Sequence, residues 1–179
     1  LGSVLALFWY FRNDFFKSIS QSSKNIYDYF FHDRLLKSIL IGTLPIFLLG
    51  GTIKLFVPYF FDKVLRSNLS IALVSLLMAI FMYIADRSKR GSLNLTNHKF
   101  SDSFLIGLSQ AFAIIPGVSR SGITISTALA SGWERGEAAK FSFLLGMPAI
   151  SFAAFVELIS SFDEFSSFSF YPLIVGFIT

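Results

Sequence analysis

The segment Ile115-Pro116-Gly117-Val118-Ser119-Arg120-Ser121-Gly122-Ile123-Thr124-Ile125 constrains this chain more than any other. It separates two apolar runs, residues 104–115 and 123–130, and carries the only arginine of that region. Pro116 supplies no backbone donor and disfavours helix at Ile115, while Gly117 and Gly122 permit positive φ or close backbone approach. The pattern predicts helix, break, helix. Residues 123–131 would span ~14 Å at 1.5 Å per residue, about half of a bilayer core. The two halves therefore predict a re-entrant hairpin over 101–131 rather than two full crossings. Irregular backbone at membrane depth is tolerated only where protein buries it or where it lines a wet cavity.

A membrane setting follows from composition. The chain is 54% apolar, with 23 phenylalanines against 15% charged residues, and its mean hydropathy is +0.65. These values predict an all-α, polytopic integral membrane protein forming one transmembrane domain over 1–179. The net charge of +4 is modest and its lysines and arginines fall between apolar runs, which argues for membrane topology and against nucleic acid. Without cysteine there is no disulfide, thiol nucleophile or thiolate metal site. His32 and His98 lie in polar stretches and are expected to be solvated.

Residues 1–11 end a helix. Residues 12–37 form a polar connection with Arg12, Lys17, Lys24, Arg34 and Lys37, whose aromatic clusters fit either an interfacial amphipathic segment or a loop packed on the bundle. Spans are expected over 35–59 and 69–85. Pro45, Gly50 and Gly51 fit a kink and a close helix contact in the first, and Lys54 snorkels near its end. Ser101, Asp102 and Ser103 can cap the next helix. Gly132 ends the hairpin, and Glu134 and Glu137 open a helix running to about Leu158. Loops 12–37 and 86–99 carry five and four Lys/Arg, and two spans separate them. Both are expected on the cytoplasmic side, and re-entry at 101–131 then places the acidic loop around Asp163 and Glu164 outside. The chain begins at Leu1 and stops inside an apolar run, as a segment of a longer protein would.

The break carries phosphate chemistry. A helix N-terminus offers oriented N–H groups and partial positive charge, and a guanidinium offers a bidentate fork. Arg120 is the leading candidate for clamping non-bridging oxygens in a phosphoryl transition state. Ser119, Ser121 and Thr124 can donate to the same anion, although each hydroxyl can instead bond its own backbone. Gly117 and Gly122 shape the loop. Gln110, on the preceding half-helix, is either a cavity contact or an interhelical hydrogen bond. No carboxylate lies near the motif in sequence, and Glu157 fits an interface role. An arginine at membrane depth is costly and marks function by default, so a kinked helix with a snorkelling Arg120 is the weaker reading.

At these residues the chain resembles the undecaprenyl-diphosphate phosphatase family, bacitracin-resistance type. The resemblance rests on Pro-Gly-x-Ser-Arg-Ser-Gly-x-Thr-Ile. It continues through Trp133-Glu134-Arg135-Gly136-Glu137-Ala138-Ala139-Lys140-Phe141-Ser142-Phe143-Leu144-Leu145-Gly146-Met147-Pro148, and extends back through Gly107-Leu108-Ser109-Gln110-Ala111. It implies hydrolysis of undecaprenyl diphosphate to the monophosphate and phosphate, recycling the cell-wall lipid carrier in the bacterial inner membrane. It also implies an inverted-repeat bundle, a polyprenyl diphosphate lipid as substrate among membrane lipids, and a divalent cation, Mg²⁺ or Ca²⁺. The family's paired glutamates, histidine and nucleophile belong to a second motif with no counterpart in this sequence. Only Ser119, Arg120 and Thr124 carry over as phosphate-site residues, and the 179-residue chain alone is expected to be inactive. Whether copies form a homo-oligomer is open.

Two other classes are distinguishable. A phosphatidic-acid-type phosphatase needs a histidine six residues after its arginine, where this chain has Ser126. A transporter or lipid flippase also aims a broken helix at an anion, but needs no nucleophile.

Overall fold

The computed structural model describes residues 34–56, 65–88 and 91–160, with residues 2, 5, 6, 9–12 and 175–176 besides. The main elements are α1 (Arg34–Phe56), α2 (Asn68–Asp86), α3 (Phe100–Ala111), a 3-10 turn (Phe112–Ile114), α4 (Arg120–Ala130) and α5 (Arg135–Ser160). Among the described residues there is no strand beyond one isolated bridge, Leu93 to Trp133. The fold is all-α, as the sequence predicts.

Each helix boundary has a local cause. The Ser67 hydroxyl caps α2 by accepting the Ser70 N–H at 3.3 Å. Of the three residues expected to cap α3, Asp102 is the one that bonds the helix start, and it does so from inside the first turn rather than ahead of it. Helix starts at Phe100, and the Asp102 carboxylate accepts the Lys99 N–H at 2.8 Å. Pro116 stops α3, which tightens into the 3-10 turn before the break. Gly132, at φ +87°, ends the hairpin.

Among the described residues two helices are long and apolar enough to cross a membrane, Asn68–Asp86 and Arg135–Val156. α2 shows Leu69, Leu73, Leu76, Leu77, Ile80 and Ile84 to its surroundings, a surface suited to lipid. α1 is 23 residues long and carries Arg34, Lys37 and Lys54, with Pro45 inside. Arg34 and Lys37 were expected in the polar connection. They belong instead to the start of this helix, and the Arg34 guanidinium donates to the His98 carbonyl. The remainder of that connection, including His32, lies outside the described residues, as do Lys63, Lys89, Arg90, Asp163, Glu164 and the side chain of Glu157.

α1 packs most closely on α3, where Gly42 faces Gly107. A Cβ on Gly107 would overlap the Gly42 backbone, so the small pair sets the helix separation. Around this crossing Ile39, Ile106, Ala128, Leu144, Leu145 and Met147 form the core.

The two ends of the α3–α4 hairpin meet at its base. Leu93 N–H donates to the Gly132 carbonyl at 3.1 Å, and Glu134 N–H donates to Leu93 at 2.9 Å. The Glu137 carboxylate, in the first turn of α5, accepts the Leu95 N–H at 3.0 Å. Trp133 stacks on Phe141 with ring centroids 5.0 Å apart, and His98 sits 5.0 Å from Trp133.

His98 is therefore not the solvated loop residue that its neighbours suggest. It is fully buried. Its Nδ1 lies 3.1 Å from the Asn94 carbonyl, which can only accept, so Nδ1 carries the proton. Nε2 lies 2.7 Å from the Ser38 hydroxyl, whose one hydrogen has two acceptors in reach, Nε2 and the Arg34 carbonyl at 2.8 Å. Burial pushes the His98 pKa below its ordinary value, against the opposing pull of the Asn94 carbonyl.

Candidate phosphate-binding site at the hairpin tip

The tip is built by the break itself. Gly117 has φ +97°, a left-handed conformation that a side chain would strain. It turns the chain against α2, where the Ser75 hydroxyl donates to the Gly117 carbonyl at 3.3 Å. Ser119 is the N-cap of α4, with extended backbone (φ −70°, ψ 117°). Its hydroxyl oxygen accepts the Gly122 N–H at 3.2 Å, which leaves the hydroxyl hydrogen free to donate outward. The first helical bond of α4 runs from Ile123 N–H to the Ser119 carbonyl at 2.9 Å. The N–H groups of Arg120 and Ser121 precede it and have no helical acceptor.

Arg120 is the first residue of α4 and is half-buried. Its Nη1 donates to Gln110 Oε1 at 3.4 Å, a long bond linking α4 to α3. Gln110 is fully buried and its Nε2 has no partner among the described residues. Of its two predicted roles, Gln110 takes the interhelical one. On the other side the Arg120 guanidinium lies against the backbone of α5 at Gly146. Among the described residues no carboxylate pairs with Arg120.

The other candidate residues divide in two. Ser121 is half-buried, and its hydroxyl makes no hydrogen bond among the described residues. Gly122 is buried beside the Met82 sulfur and the Ser119 side chain. Thr124 turns away from the tip. It is buried, and its hydroxyl bonds the Arg120 and Ser121 carbonyls at 3.0 and 3.1 Å and the Ser142 hydroxyl at 2.5 Å. That hydroxyl has one hydrogen and three partners inside the protein, so it joins α4 to α5 rather than facing an anion. Sequence reasoning gave Ser142 and Gly146 no role. A glycine inside a 26-residue helix was the available signal, because glycine there costs about 1 kcal/mol relative to alanine and implies a packing reason.

A cleft of about 240 Å³ lies at the hairpin base between Asp86, Ser88, Trp133 and Arg135. Asp86 and Arg135 pair there at 2.8 Å, with both side chains exposed. An exposed pair contributes little, roughly 0–1 kcal/mol, and nothing in that cleft is arranged for catalysis. No group of three or more His, Asp or Glu among the described residues is placed to hold a metal ion. The described residues alone therefore do not fit the divalent cation that the resemblance implies.

The Arg120 guanidinium, the Ser119 hydroxyl and the N–H groups of Arg120 and Ser121 converge on one helix start as a cluster of hydrogen-bond donors. The family model described as bacitracin resistance protein BacA matches residues 1–179. An undecaprenyl-diphosphatase of Prochlorococcus marinus (strain MIT 9312) is 79% identical over the whole of this chain and 67% of its own length. The undecaprenyl-diphosphatases of strains AS9601 and SARG are 73% and 45% identical, over 65% and 62% of their lengths. The chain thus spans about two thirds of the relatives it matches. With the match running from the first residue to the last, the chain belongs to the bacitracin resistance protein BacA family.

Proposed function

We propose that the chain serves the hydrolysis of undecaprenyl diphosphate to undecaprenyl phosphate and inorganic phosphate, and that it supplies the arginine side of the active site. The observation that carries this reading is Arg120, at the first position of α4 and bonded to Gln110, with no carboxylate to neutralise it among the described residues. Its family and its two apolar helices make it a membrane protein, and an unneutralised guanidinium within such a protein needs an anion.

In the reaction the bond between the terminal phosphorus and the bridging oxygen breaks, and a water oxygen takes its place on phosphorus. Charge spreads over the non-bridging oxygens and grows on the bridging one. The Arg120 fork neutralises the former. The N–H groups of Arg120 and Ser121 and the Ser119 hydroxyl add fixed donors, already oriented by the cap. Thr124 acts one step removed, fastening the first turn of α4 to α5 through Ser142. A divalent cation, if used, takes its ligands from outside the described residues, and none of these steps passes through it.

The hairpin geometry supports re-entry. α3 has 12 residues and α4 has 11, about 18 and 16 Å, each too short to cross. Their outer ends are joined at the base. That base adjoins the stretch with Arg87, Lys89, Arg90 and Lys99, which belongs on the cytoplasmic side of a bacterial inner membrane. The tip then lies at depth.

The test is phosphate release from a polyprenyl diphosphate by the full-length protein in detergent. Wild type should release phosphate. Binding without release would end the hydrolase reading and favour an anion-binding transporter.

A further inference from the structure

We infer that Gly146 is a positioning residue for Arg120: the missing side chain on α5 is the slot in which the guanidinium lies. This rests on Arg120 being the phosphate-clamping group. Gly146 is buried in the interior of α5, two residues before Pro148. A Cβ built there would overlap Arg120 Nη1, Cζ and Nη2 together, so the edge of the guanidinium occupies the space that a side chain at 146 would fill. The second wall is Gln110, whose Oε1 accepts a hydrogen bond from Nη1 at 3.4 Å and whose side chain is fully buried. The fork is thus held between α3 and α5 although its own Cα is on α4.

The physical consequence is preorganisation. A free arginine side chain has rotamer entropy of about 2 kcal/mol to lose before it can clamp an anion. A slot that fixes the fork beforehand removes much of that cost and aims the donors where charge develops. The colliding atoms are the far end of a flexible side chain, so alanine at 146 would expel the guanidinium rather than break the helix pair. Alanine is also the better helix former. Stability and catalysis should therefore separate.

The experiment is a double-mutant cycle on the full-length protein, with Gly146→Ala, Arg120→Ala and the pair, each assayed for thermal unfolding in detergent, phosphate release and binding of a polyprenyl diphosphate. Gly146→Ala should unfold at or above the wild-type temperature and lose kcat by about tenfold to a hundredfold, the scale of a misplaced catalytic group, with KM changed much less. The pair should be no worse than Arg120→Ala alone, because there is no fork left to displace. Wild-type kcat in Gly146→Ala would overturn the inference, as would a loss that adds fully to that of Arg120→Ala. If wild type binds the lipid and releases nothing, the phosphatase reading fails while the cycle is read on affinity, with the same non-additivity expected. If Gly146→Ala does not fold, Gln110→Leu tests the other wall. It should lose kcat severalfold in the Arg120 protein and nothing further beside Arg120→Ala, and an additive loss would again overturn the inference.

Discussion

The two ends of the α3–α4 hairpin solve opposite problems. At the base, Trp133 and Phe141 stack, His98 packs against both at a tilt, all three are buried, and backbone bonds from Leu93 and Glu134 close the circuit. At the tip, polar groups keep spare capacity: two N–H groups without helical acceptors, an outward hydroxyl on Ser119, and a guanidinium with one long bond. The base holds the geometry and the tip uses it. Polar groups left unpaired cost free energy, so the tip is affordable only because the base and the Gly42–Gly107 crossing fix the frame.

This division predicts that substitutions at the base change stability and those at the tip change turnover. Trp133→Ala should have the largest effect, lowering stability by about 3–5 kcal/mol through the cavity it leaves, read as the unfolding midpoint in detergent. Residual folded protein should keep its turnover, and a turnover loss larger than the loss of folded protein would erase the distinction. Arg120→Ala should lower kcat on the order of a hundredfold or more with an unfolding midpoint near wild type. Arg120→Lys should recover only part of the activity, because an ammonium cannot reproduce the fork.

Ser119→Ala lies between the two regions, since its oxygen caps α4 while its hydrogen points outward. A loss of about 1 kcal/mol of stability is expected from the cap, with several-fold lower activity. Ser119→Asp should restore the cap but not the activity, because a carboxylate repels the anion. The smallest effect should be a pH dependence. The unfolded His98 ring takes a proton near pH 6.5, whereas the folded ring takes one only at lower pH because burial disfavours the charge. Between those values the unfolded state binds more protons, so stability falls as pH drops through that window. Wild type should lose more of its unfolding midpoint between pH 7.5 and pH 5 than His98→Gln does, and equal losses would show that His98 is not the source.

Much of the hairpin was legible because its signals are local. Pro116 ends a helix wherever it stands, Gly117 marks a turn, and Asp102 can reach a backbone N–H three residues away. Arg120 stood out through cost: an arginine between two apolar runs is expensive unless something pairs with it. Thr124 was harder to place, because its hydroxyl has acceptors on its own helix and on α5, and only packing chose between those and an anion. His98 was misread for a similar reason. Its sequence neighbours are polar, but the rings that bury it come from residues 35 and 43 positions further on.

The sequence by itself determined an all-helical membrane protein, a break at Pro116–Gly117 and a helix that starts at Arg120 behind a Ser119 cap, since composition, turn chemistry and helix capping act within a few residues. The tertiary structure alone decided that Gly146 makes room for the Arg120 fork, that Gln110 forms its other wall, and that Leu93 and Trp133 close the hairpin at its base. Those contacts join residues on different helices, and whether an atom fits between two helices is set by their separation, which no local pattern encodes.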